Sequence, residues 1–367
     1  MLDFTSALYL GLRHPSGMLQ PWTQLTTGRP AALQEPPDAE NITNSFVRLL
    51  GCEQATLGAS TLHLFWDLFD VLATEPIGIY MDAGTYPIAR WGVERVSAKG
   101  VPTANFQRHD PAALEDLLRR HQRLSLRPVV VTDGLCPATG RPAPVGEYLN
   151  LVRAHGGYLV VDDTQALGIL GRHPGPDAPY GLGGGGTPAW HGIQAPELIV
   201  GSSLAKGFGV PLAVLAGSQR VIARFENTSG TRMHCSPPSV ALIHAAEHAL
   251  EVNKSVGERL RMRLAQLTRR FRERLRYVGL AASGGLFPVQ TLQPIAAIDT
   301  ARLHTVLQRS AVTTVLHRAR NDCAARISFL LTASHQFEDV DRAVEILSNL
   351  VVAQQRPRHR SKVRSYE

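Results

Sequence analysis

The sequence predicts an α/β protein in which helices cover both faces of a large, mostly parallel sheet and a smaller C-terminal α/β domain follows. Short apolar runs rich in β-branched residues alternate with helical patterns, which is typical of parallel strands buried between two layers of helices. The chain of 367 residues is long enough for one large domain and a smaller one. We expect an N-terminal arm over 1–40, a large domain over 41–250, a small domain over 251–353 and a basic tail over 354–367.

The strands of the large sheet are predicted from runs that are apolar on both faces. Amphipathic patterns predict helices over 110–124 and 146–156, and the glycine-rich stretch 181–188 is expected to be a flexible loop. The predicted strands are 77–81, 128–132, 158–162, 197–201 and 212–217.

A long amphipathic helix is predicted over 255–278, where apolar residues recur at three- and four-residue spacing. Strands at 286–292 and 325–331 follow, mixed with helices at 299–309 and 337–351, and these predict the smaller domain. The arginines on the polar face of the long helix are expected to form a solvated surface. They are Arg259, Arg261, Arg263, Arg269, Arg270, Arg272 and Arg274.

The composition argues against several classes of protein. Hydrophobic residues make up 44% and charged residues 19% of the chain, as in soluble globular proteins, and no apolar run reaches the roughly 20 residues that span a membrane. We expect no signal peptide, because the first residues lack a basic region followed by an apolar one. The four cysteines form no CxxC pair, which argues against a zinc site or disulfide framework and favours the cytoplasm.

The net charge of +7 is concentrated at the end of the sequence, where residues 356–367 contain five basic side chains and one acidic side chain. A basic run at a chain end is typically solvated. We therefore expect neither nucleic acid nor a membrane as a partner.

Lys206 and Asp162 carry the strongest indication of chemistry. Asp162 ends the apolar run YLVVD, and Lys206 lies in SSLAKGFG, shortly after the next predicted strand. The carboxyl ends of parallel strands meet at one edge of a sheet, so the two side chains can come together there. A lysine can form a Schiff base with an aldehyde, and a carboxylate can keep a pyridine nitrogen protonated. Pyridoxal 5′-phosphate (PLP) chemistry needs both groups.

The motifs around these residues, in their order and spacing, resemble those of the α-oxoamine synthases, a family of PLP enzymes of fold type I. YLGLRHP (9–15) resembles the family's opening element, and the stretch 132–171 resembles the one that ends in DEAHxxGxxG. SLAKGFG (203–209) resembles the lysine motif, and ARISFLLTASH (325–335) resembles the arginine-bearing segment. The resemblance implies a homodimer with sites at the subunit interface. It also implies a transferase that condenses an amino acid with an acyl-CoA or acyl-carrier thioester, with loss of CO2.

The resemblance further implies roles for individual residues. Lys206 is expected to bind the cofactor and to move protons, and Asp162 to pair with the pyridine nitrogen. Arg326 is expected to bind the substrate's α-carboxylate, because a guanidinium meets a carboxylate with two hydrogen bonds. The residues expected to bind the cofactor's phosphate are Ser203 in the lysine motif, Ser60, Thr61 and Leu62 at a predicted helix N-terminus, and Ser236, which would reach the phosphate of the partner subunit.

Departures from the family pattern concern the reaction itself. Tyr86 takes the place of a histidine that stacks on the cofactor ring, and a tyrosine can stack but cannot act as an imidazole acid. Gln165 replaces the DEAH histidine, and its amide can still donate a hydrogen bond to the phenolic oxygen of the ring. On the substrate side, Ala7 replaces an asparagine, and a glycine- and serine-rich segment is thinned to LTTGRPAAL (25–33).

Two reactions on the same scaffold therefore stay open. One is condensation with an acyl thioester, and the other is transamination between an amino acid or amine and a ketoacid. Only condensation consumes a thioester. A PLP-fold binding or regulatory protein is a third hypothesis, but it would need a fused DNA-binding segment or the loss of the lysine, and Lys206 is present.

Overall fold

The structure is a computed structural model that describes residues 1–318 and 324–355. Most of the basic tail predicted over 354–367 therefore lies outside the described residues. The chain divides into two compact units, one formed by Leu8–Arg263 and the other by Met1–Ala7 together with the chain from Leu264 onward. The domain limits expected from the sequence stay a prediction.

Helices and strands alternate through the first unit, as the apolar runs predict. In chain order the strands are β1 (Leu2–Asp3), β2 (Gln54–Gly58), β3 (Ile77–Asp82), β4 (Thr103–Phe106), β5 (Arg127–Asp133), β6 (Leu135–Cys136), β7 (Arg141–Pro142), β8 (Tyr158–Asp162), β9 (Leu198–Ser203), β10 (Ala213–Gly217), β11 (Ala282–Ser283), β12 (Val289–Leu292), β13 (Val312–Thr313), β14 (Val315–His317) and β15 (Arg326–Leu330).

The helices are likewise distributed over both units. They are α1 (Ala39–Leu50), α2 (Thr61–Leu72), α3 (Pro87–Ser97), α4 (Pro111–His121), α5 (Val145–Arg153), α6 (Gly186–His191), α7 (Gln219–Thr228), α8 (Gly230–His234), α9 (Val240–Tyr277), α10 (Thr300–Arg309) and α11 (Phe337–Gln355), with short 3₁₀ turns at Ser16–Met18 and Gln122–Leu124. Within the described part of the chain, every helix is too short or too polar to cross a membrane.

The large sheet of the first unit has seven strands in the order β2-β10-β9-β8-β5-β3-β4. Strands β9, β8, β5, β3 and β4 run parallel, whereas β10 is antiparallel to both of its neighbours. The prediction of a large, mostly parallel sheet is confirmed, and its predicted strands agree with the structure to within two residues at each end. Strand β3 is buried along its whole length, which explains why it has no alternating polar face.

The core of this unit contains side chains from the sheet and from helices α2, α3 and α7. Phe65 and Phe69 of α2 are completely buried, and each such ring contributes roughly 1.5–3 kcal/mol through burial. Gly201 in β9 allows this close packing, because an added Cβ would lie 2.5 Å from the Phe65 ring. Proline at the first position of α3 and α4 starts both helices where the backbone N–H needs no partner.

The second unit contains a four-stranded antiparallel sheet in the order β11-β12-β15-β14, together with α10 and α11. The first residues of the chain belong to it, because β1 pairs in parallel with β13. Phe4 is completely buried there, with its ring centroid 5.5 Å from that of Phe329 and 4.5 Å from that of His335.

Two predictions about the long helix were wrong. Helix α9 begins at Val240 rather than near 255, because the apolar period continues upstream as far as Pro238, where a proline ends it. Arg261 is not solvated but only 2% exposed. Its Nη1 donates to the carbonyl of Gly168 at 2.9 Å and to Asn253 Oδ1 at 2.8 Å, and these acceptors compensate for its burial.

The glycine-rich stretch 181–188, expected to be a flexible loop, is anchored at its centre. The Gly183 N–H donates to Glu258 Oε1 at 2.7 Å, and the Gly183 carbonyl accepts from Asn253 Nδ2 at 3.1 Å. Helix α6 then begins at Gly186, so part of the stretch is helical.

Candidate active site

Three neighbouring parallel strands end in an aspartate at one edge of the large sheet. Asp82 is the last residue of β3, Asp133 of β5 and Asp162 of β8. Asp133 and Asp162 are partners in register, and Asp162 is paired in turn with Gly201 of β9. Because β9 runs in the same direction, the turn that follows it carries Lys206 to this row of carboxyl groups.

The Lys206 side chain is half-buried beside an aromatic ring. Its Nζ lies 5.9 Å from the centroid of the Tyr86 ring. Burial lowers the pKa of Lys206, whereas the charges of Asp162 and Asp133 raise it, and the net shift is downward. The amine is therefore neutral at a lower pH than that of an exposed lysine, and only the neutral amine can attack a carbonyl carbon.

Asp162 is buried, with 6% of its surface exposed. Its Oδ1 accepts the backbone N–H of Thr164 at 3.1 Å. Burial raises the pKa of Asp162, while the hydrogen bonds from Thr164 and the charge of Lys206 lower it. A further cation next to this carboxylate would offset the desolvation of its charged form, as a protonated pyridine would do.

Tyr86 precedes α3 and is 55% exposed. Its backbone N–H donates to Asp133 Oδ1 at 2.9 Å. The loop before it is held by Asp82, whose Oδ1 accepts the N–H of Gly84 at 2.7 Å. The backbone of Tyr86 is thus fixed while its aromatic ring stays accessible for stacking.

Gln165 is the fourth residue of the DEAH-like motif, which starts at Asp162, and it contacts the N-terminal part of the first unit. Its Oε1 accepts the hydroxyl hydrogen of Tyr9 at 2.7 Å. Tyr9 is almost completely buried, so this bond orients the amide. With the oxygen turned to Tyr9, the nitrogen is the atom through which Gln165 can donate to a ligand.

Strand β10 brings the ends of two other strands to the same edge. Ala213 pairs with Gly58 of β2 on one side and with Ser203 of β9 on the other. Because both neighbours are antiparallel to β10, they run in the same direction, and the N-terminus of α2 follows β2 as the lysine turn follows β9. Ser60 and Thr61 therefore lie at the edge that carries Ser203, where the free N–H groups of α2 favour an anion.

The hydroxyl groups in this region already have local contacts. Ser60 Oγ lies 2.8 Å from His63 Nδ1, and it also accepts the N–H of His63. Ser203 Oγ accepts the N–H of Ala205 at 3.3 Å. Leu62 has no polar side-chain atom and lies in the first turn of α2, so its backbone N–H is the group suited to a phosphate.

The two remaining predicted site residues lie elsewhere in the chain. Ser236 is exposed before α9 and lines a small cavity together with Ala59 and His63. Arg326 is the exposed first residue of β15 in the second unit, where it pairs in register with His317. The roles expected for Ser236 and Arg326 stay predictions.

Sequence reasoning did not single out Asp82, Asp133, His63 or Tyr9. The two aspartates carried a usable signal, since each ends an apolar run as Asp162 does, in IGIYMD and PVVVTD. No local pattern indicates the contact between Tyr9 and Gln165, because 156 positions separate them and only the fold brings them together.

Relatives in sequence and solved structures point to the same class of protein. No family model matches the chain. The 8-amino-7-oxononanoate synthase of Halorhodospira halophila is 30% identical over 261 residues, covering 70% of this chain and 61% of that protein. The enzyme of the same name from Thioalkalivibrio sulfidiphilus is 29% identical over 249 residues, covering 66% and 61%. The chain thus spans 61% of the length of these curated relatives.

Solved structures agree over nearly the whole chain. A serine palmitoyltransferase from Sphingomonas wittichii has a TM-score of 0.82 at 17% identity, covering 96% of this chain and 87% of that one. The 8-amino-7-oxononanoate synthase of Francisella tularensis has a TM-score of 0.75 at 18% identity, covering 96% and 98%.

The fold is therefore that of the PLP-dependent enzymes of fold type I, as the motifs predict. Within that class the chain is α-oxoamine synthase-like, and the resemblance inferred from its motifs is confirmed by its relatives and by its fold.

Proposed function

We propose that the protein is a PLP-dependent acyltransferase that condenses an amino acid with an acyl thioester of CoA or of a carrier, with loss of CO2. The observation that carries this proposal is the meeting of Lys206, Asp162 and the Tyr86 ring at one edge of the sheet. The names of the relatives support it, because 8-amino-7-oxononanoate synthase and serine palmitoyltransferase both denote synthetic transferases.

The residues at this edge fit PLP. Lys206 offers an amine whose pKa is lowered by burial, and Asp162 offers a buried carboxylate to a pyridinium nitrogen. The accessible ring of Tyr86 offers a stacking face, while the start of α2 and Ser203 offer N–H and hydroxyl groups to a phosphate. When bound, PLP supplies an electron sink for the Cα of an amino acid.

Several residues of the chain have proposed roles in handling the substrate. Lys206 removes the proton from the substrate Cα and later donates a proton to a carbon atom. The lowered pKa of Lys206 suits both steps, because the neutral amine is the base. Arg326 binds the α-carboxylate. Ser236 binds the phosphate held by the partner subunit of a homodimer. Both assignments rest on the likeness to the α-oxoamine synthases. The proposed cytoplasmic location rests on the four cysteines, which form no CxxC pair.

Transamination is a second candidate because of Tyr86. A phenol in place of an imidazole removes the acid that would assist loss of CO2 from a ketoacid intermediate, whereas transamination needs no such acid. In transamination, Lys206 would deliver its proton to an atom other than the substrate Cα. The two reactions differ in whether a thiol is released.

The central test uses the small number of lysines in the chain, which are Lys99, Lys206, Lys254 and Lys362. The protein incubated with PLP should turn yellow, and borohydride should fix the cofactor on the peptide that contains Lys206. Lys206→Ala should abolish this label and lower turnover by about 10²–10⁴-fold, because the proton carrier is lost. Lys254→Ala replaces an exposed lysine and should keep both the label on Lys206 and the wild-type turnover.

A protein that cannot be loaded with PLP, or a label on a lysine other than Lys206, would contradict the proposal. The reaction is then assigned by incubating the loaded enzyme with amino acids and acyl-CoAs and measuring free thiol. Thiol release that depends on the amino acid supports condensation. Transfer of the amino group to a ketoacid without thiol release supports transamination.

A further inference from the structure

Asp133 occupies the middle of the row of strand-terminal aspartates, between β3 and β8. Its Oδ1 accepts the backbone N–H of Tyr86 at 2.9 Å, which ties the end of β5 to the start of α3. Its Oδ2 makes no hydrogen bond with any of the described residues, and the side chain is half-buried rather than enclosed. Asp133 thus has one oxygen that accepts a backbone hydrogen bond and a second oxygen without a hydrogen bond among the described residues.

Charged groups from three neighbouring elements act on Asp133. Burial and then the charge of Asp162 on β8 are the main causes that raise the pKa of Asp133 to about 7. The Tyr86 N–H lowers the pKa, Asp82 on β3 adds a smaller increase, and Arg108 after β4 adds a smaller decrease. Lys206 after β9 responds in turn, because the Asp133 charge raises the pKa of its amine.

We propose that Asp133 is a positioning residue of this site. It holds the Tyr86 ring beside Lys206 through the backbone N–H of Tyr86, and its charge controls whether the Lys206 nitrogen carries a proton. The inference deepens the proposed function, because Lys206 must be neutral to attack an aldehyde or to accept the Cα proton. An ionised Asp133 favours the ammonium form of Lys206, and a protonated Asp133 favours the neutral amine. The acceptor for Tyr86 is an oxygen in either state, so the ring is held throughout.

Two substitutions separate the two parts of this role. Asp133→Asn keeps an oxygen that can accept the Tyr86 N–H but removes the charge. Asp133→Ala removes both the charge and the acceptor. Asp177→Asn removes an exposed aspartate from a loop of the same unit and is the matched control.

The charge effect is measured on the full-length chain without cofactor. The rate at which Lys206 is acylated by a water-soluble anhydride is followed against pH by peptide mass spectrometry, with Lys99 and Lys254 as internal references. We expect Asp133→Asn to lower the apparent pKa of Lys206 by about one pH unit, and thus to raise its reactivity several-fold at neutral pH. Asp177→Asn should leave the titration of Lys206 unchanged.

The positioning effect is measured by hydrogen exchange in the peptide that contains Tyr86. We expect exchange at its amide to be about tenfold faster in Asp133→Ala and close to the wild-type rate in Asp133→Asn, because only alanine removes the acceptor. After loading with PLP, the pH at which the cofactor absorbance changes should move in Asp133→Asn in the same direction as the Lys206 titration.

The inference is overturned if Lys206 titrates identically in Asp133→Asn and the wild type, or if the Tyr86 amide exchanges equally in Asp133→Ala and the wild type. Both measurements use the chain without cofactor, so they are independent of the proposed function. A wild type that fails to bind PLP overturns the proposed function alone, whereas normal PLP binding with an unchanged Lys206 titration overturns this inference alone.

Discussion

Asp163 follows Asp162 in the chain, and its side chain is completely buried. Its Oδ2 accepts the Thr187 N–H at 2.9 Å, whereas Oδ1 and the Thr187 hydroxyl have no hydrogen-bond partner among the described residues. Burial, with a smaller contribution from the charge of Asp162, raises the pKa of Asp163 to about 7. The folded protein therefore keeps a proton on Asp163 that the unfolded chain loses near pH 4.

This difference makes stability depend on pH. Because the folded pKa lies above the unfolded value, the contribution of Asp163 is fully present below about pH 4 and is lost as the pH rises towards 7. Asp163→Asn removes the ionisation, and its amide oxygen can still accept from the Thr187 N–H. We expect the variant to exceed the wild type in free energy of unfolding by about 1–2 kcal/mol at pH 8, and by less at pH 5.

Urea unfolding at the two pH values measures this difference. Asp177→Asn, which removes an exposed carboxyl group, should match the wild type at both. A stability difference for Asp163→Asn that does not change between pH 5 and pH 8 would be incompatible with a raised pKa at this position.

Individual site residues were predictable where one residue type lies in a distinctive sequence motif. Lys206 and Asp162 lie in such motifs, and Asp133 shares with Asp162 the pattern of an aspartate that ends an apolar run. The bond between Tyr9 and Gln165 was not predictable, because it depends on how distant segments pack. The burial of Arg261 could not be predicted from the sequence for a similar reason, because its acceptor Gly168 belongs to a loop distant in the chain.

Gly257 in helix α9 makes room for the buried side chain of Arg261. An added Cβ on Gly257 would lie 2.8 Å from Arg261 Nη2 and 2.8 Å from Asn253 Oδ1. The glycine therefore leaves room for the guanidinium to fold back along the helix. From there Arg261 donates to the carbonyl of Gly168. The turn that carries Lys206 packs on the neighbouring backbone, because an added Cβ on Gly207 would lie only 2.4 Å from the Leu167 carbonyl oxygen.

We predict that Gly257→Ala destabilises the protein, although alanine is the better helix former by about 1 kcal/mol. Overpacking against the buried guanidinium should outweigh that gain and lower the free energy of unfolding by about 1–3 kcal/mol. Gly146→Ala in α5 is the control, because its Cβ would meet only Ile193 at an ordinary 3.6 Å. Thermal unfolding of both variants decides the point, and a Gly257→Ala variant as stable as Gly146→Ala would show that Arg261 can move aside.

Element boundaries were predictable to different degrees. The central strands were located closely because burial on both faces gives uninterrupted apolar runs. The start of α9 was missed because residues 240–254 contain alanine, histidine and glutamate in a weaker apolar pattern than the leucine-rich part that follows. The stretch 181–188 looked unstructured because glycine has no side-chain pattern, while its bonds to α9 involve its backbone.

The division into two units gives the first residues of the chain a structural role. Strand β1 pairs with β13, and the Phe4 carbonyl accepts the N–H of Leu330 at 2.9 Å. The Phe4 ring fills a buried position between Phe329 and His335. Residues 1–7 therefore complete the unit that is otherwise formed by the chain from Leu264 onward.

Phe4→Ala should cost about 3–5 kcal/mol of stability, because it removes a completely buried ring and leaves a cavity. Tyr277→Ala is the matched control in the same unit, since Tyr277 is 83% exposed. Denaturant unfolding followed by circular dichroism measures both variants. Equal stabilities for the two variants would mean that the first residues do not contribute to this unit.

The class of fold was predictable for the whole molecule because the alternation of strands and helices and the lysine and aspartate motifs agree with one another. The pairing of β1 with β13 was not, because a two-residue strand has no periodicity and its partner lies more than 300 positions away. Contacts between such distant segments depend on the completed fold.

The parallel pair β1 and β13 also has a consequence for the order in which the protein is made. A ribosome that has translated Phe4 must add more than 300 further residues before Phe329 exists. The unit Leu8–Arg263 can complete its own contacts during that interval, whereas the segment before it stays without its neighbours. Nascent chains halted before β13 should therefore expose Phe4 to proteases, and this exposure should end only after β15 has left the exit tunnel.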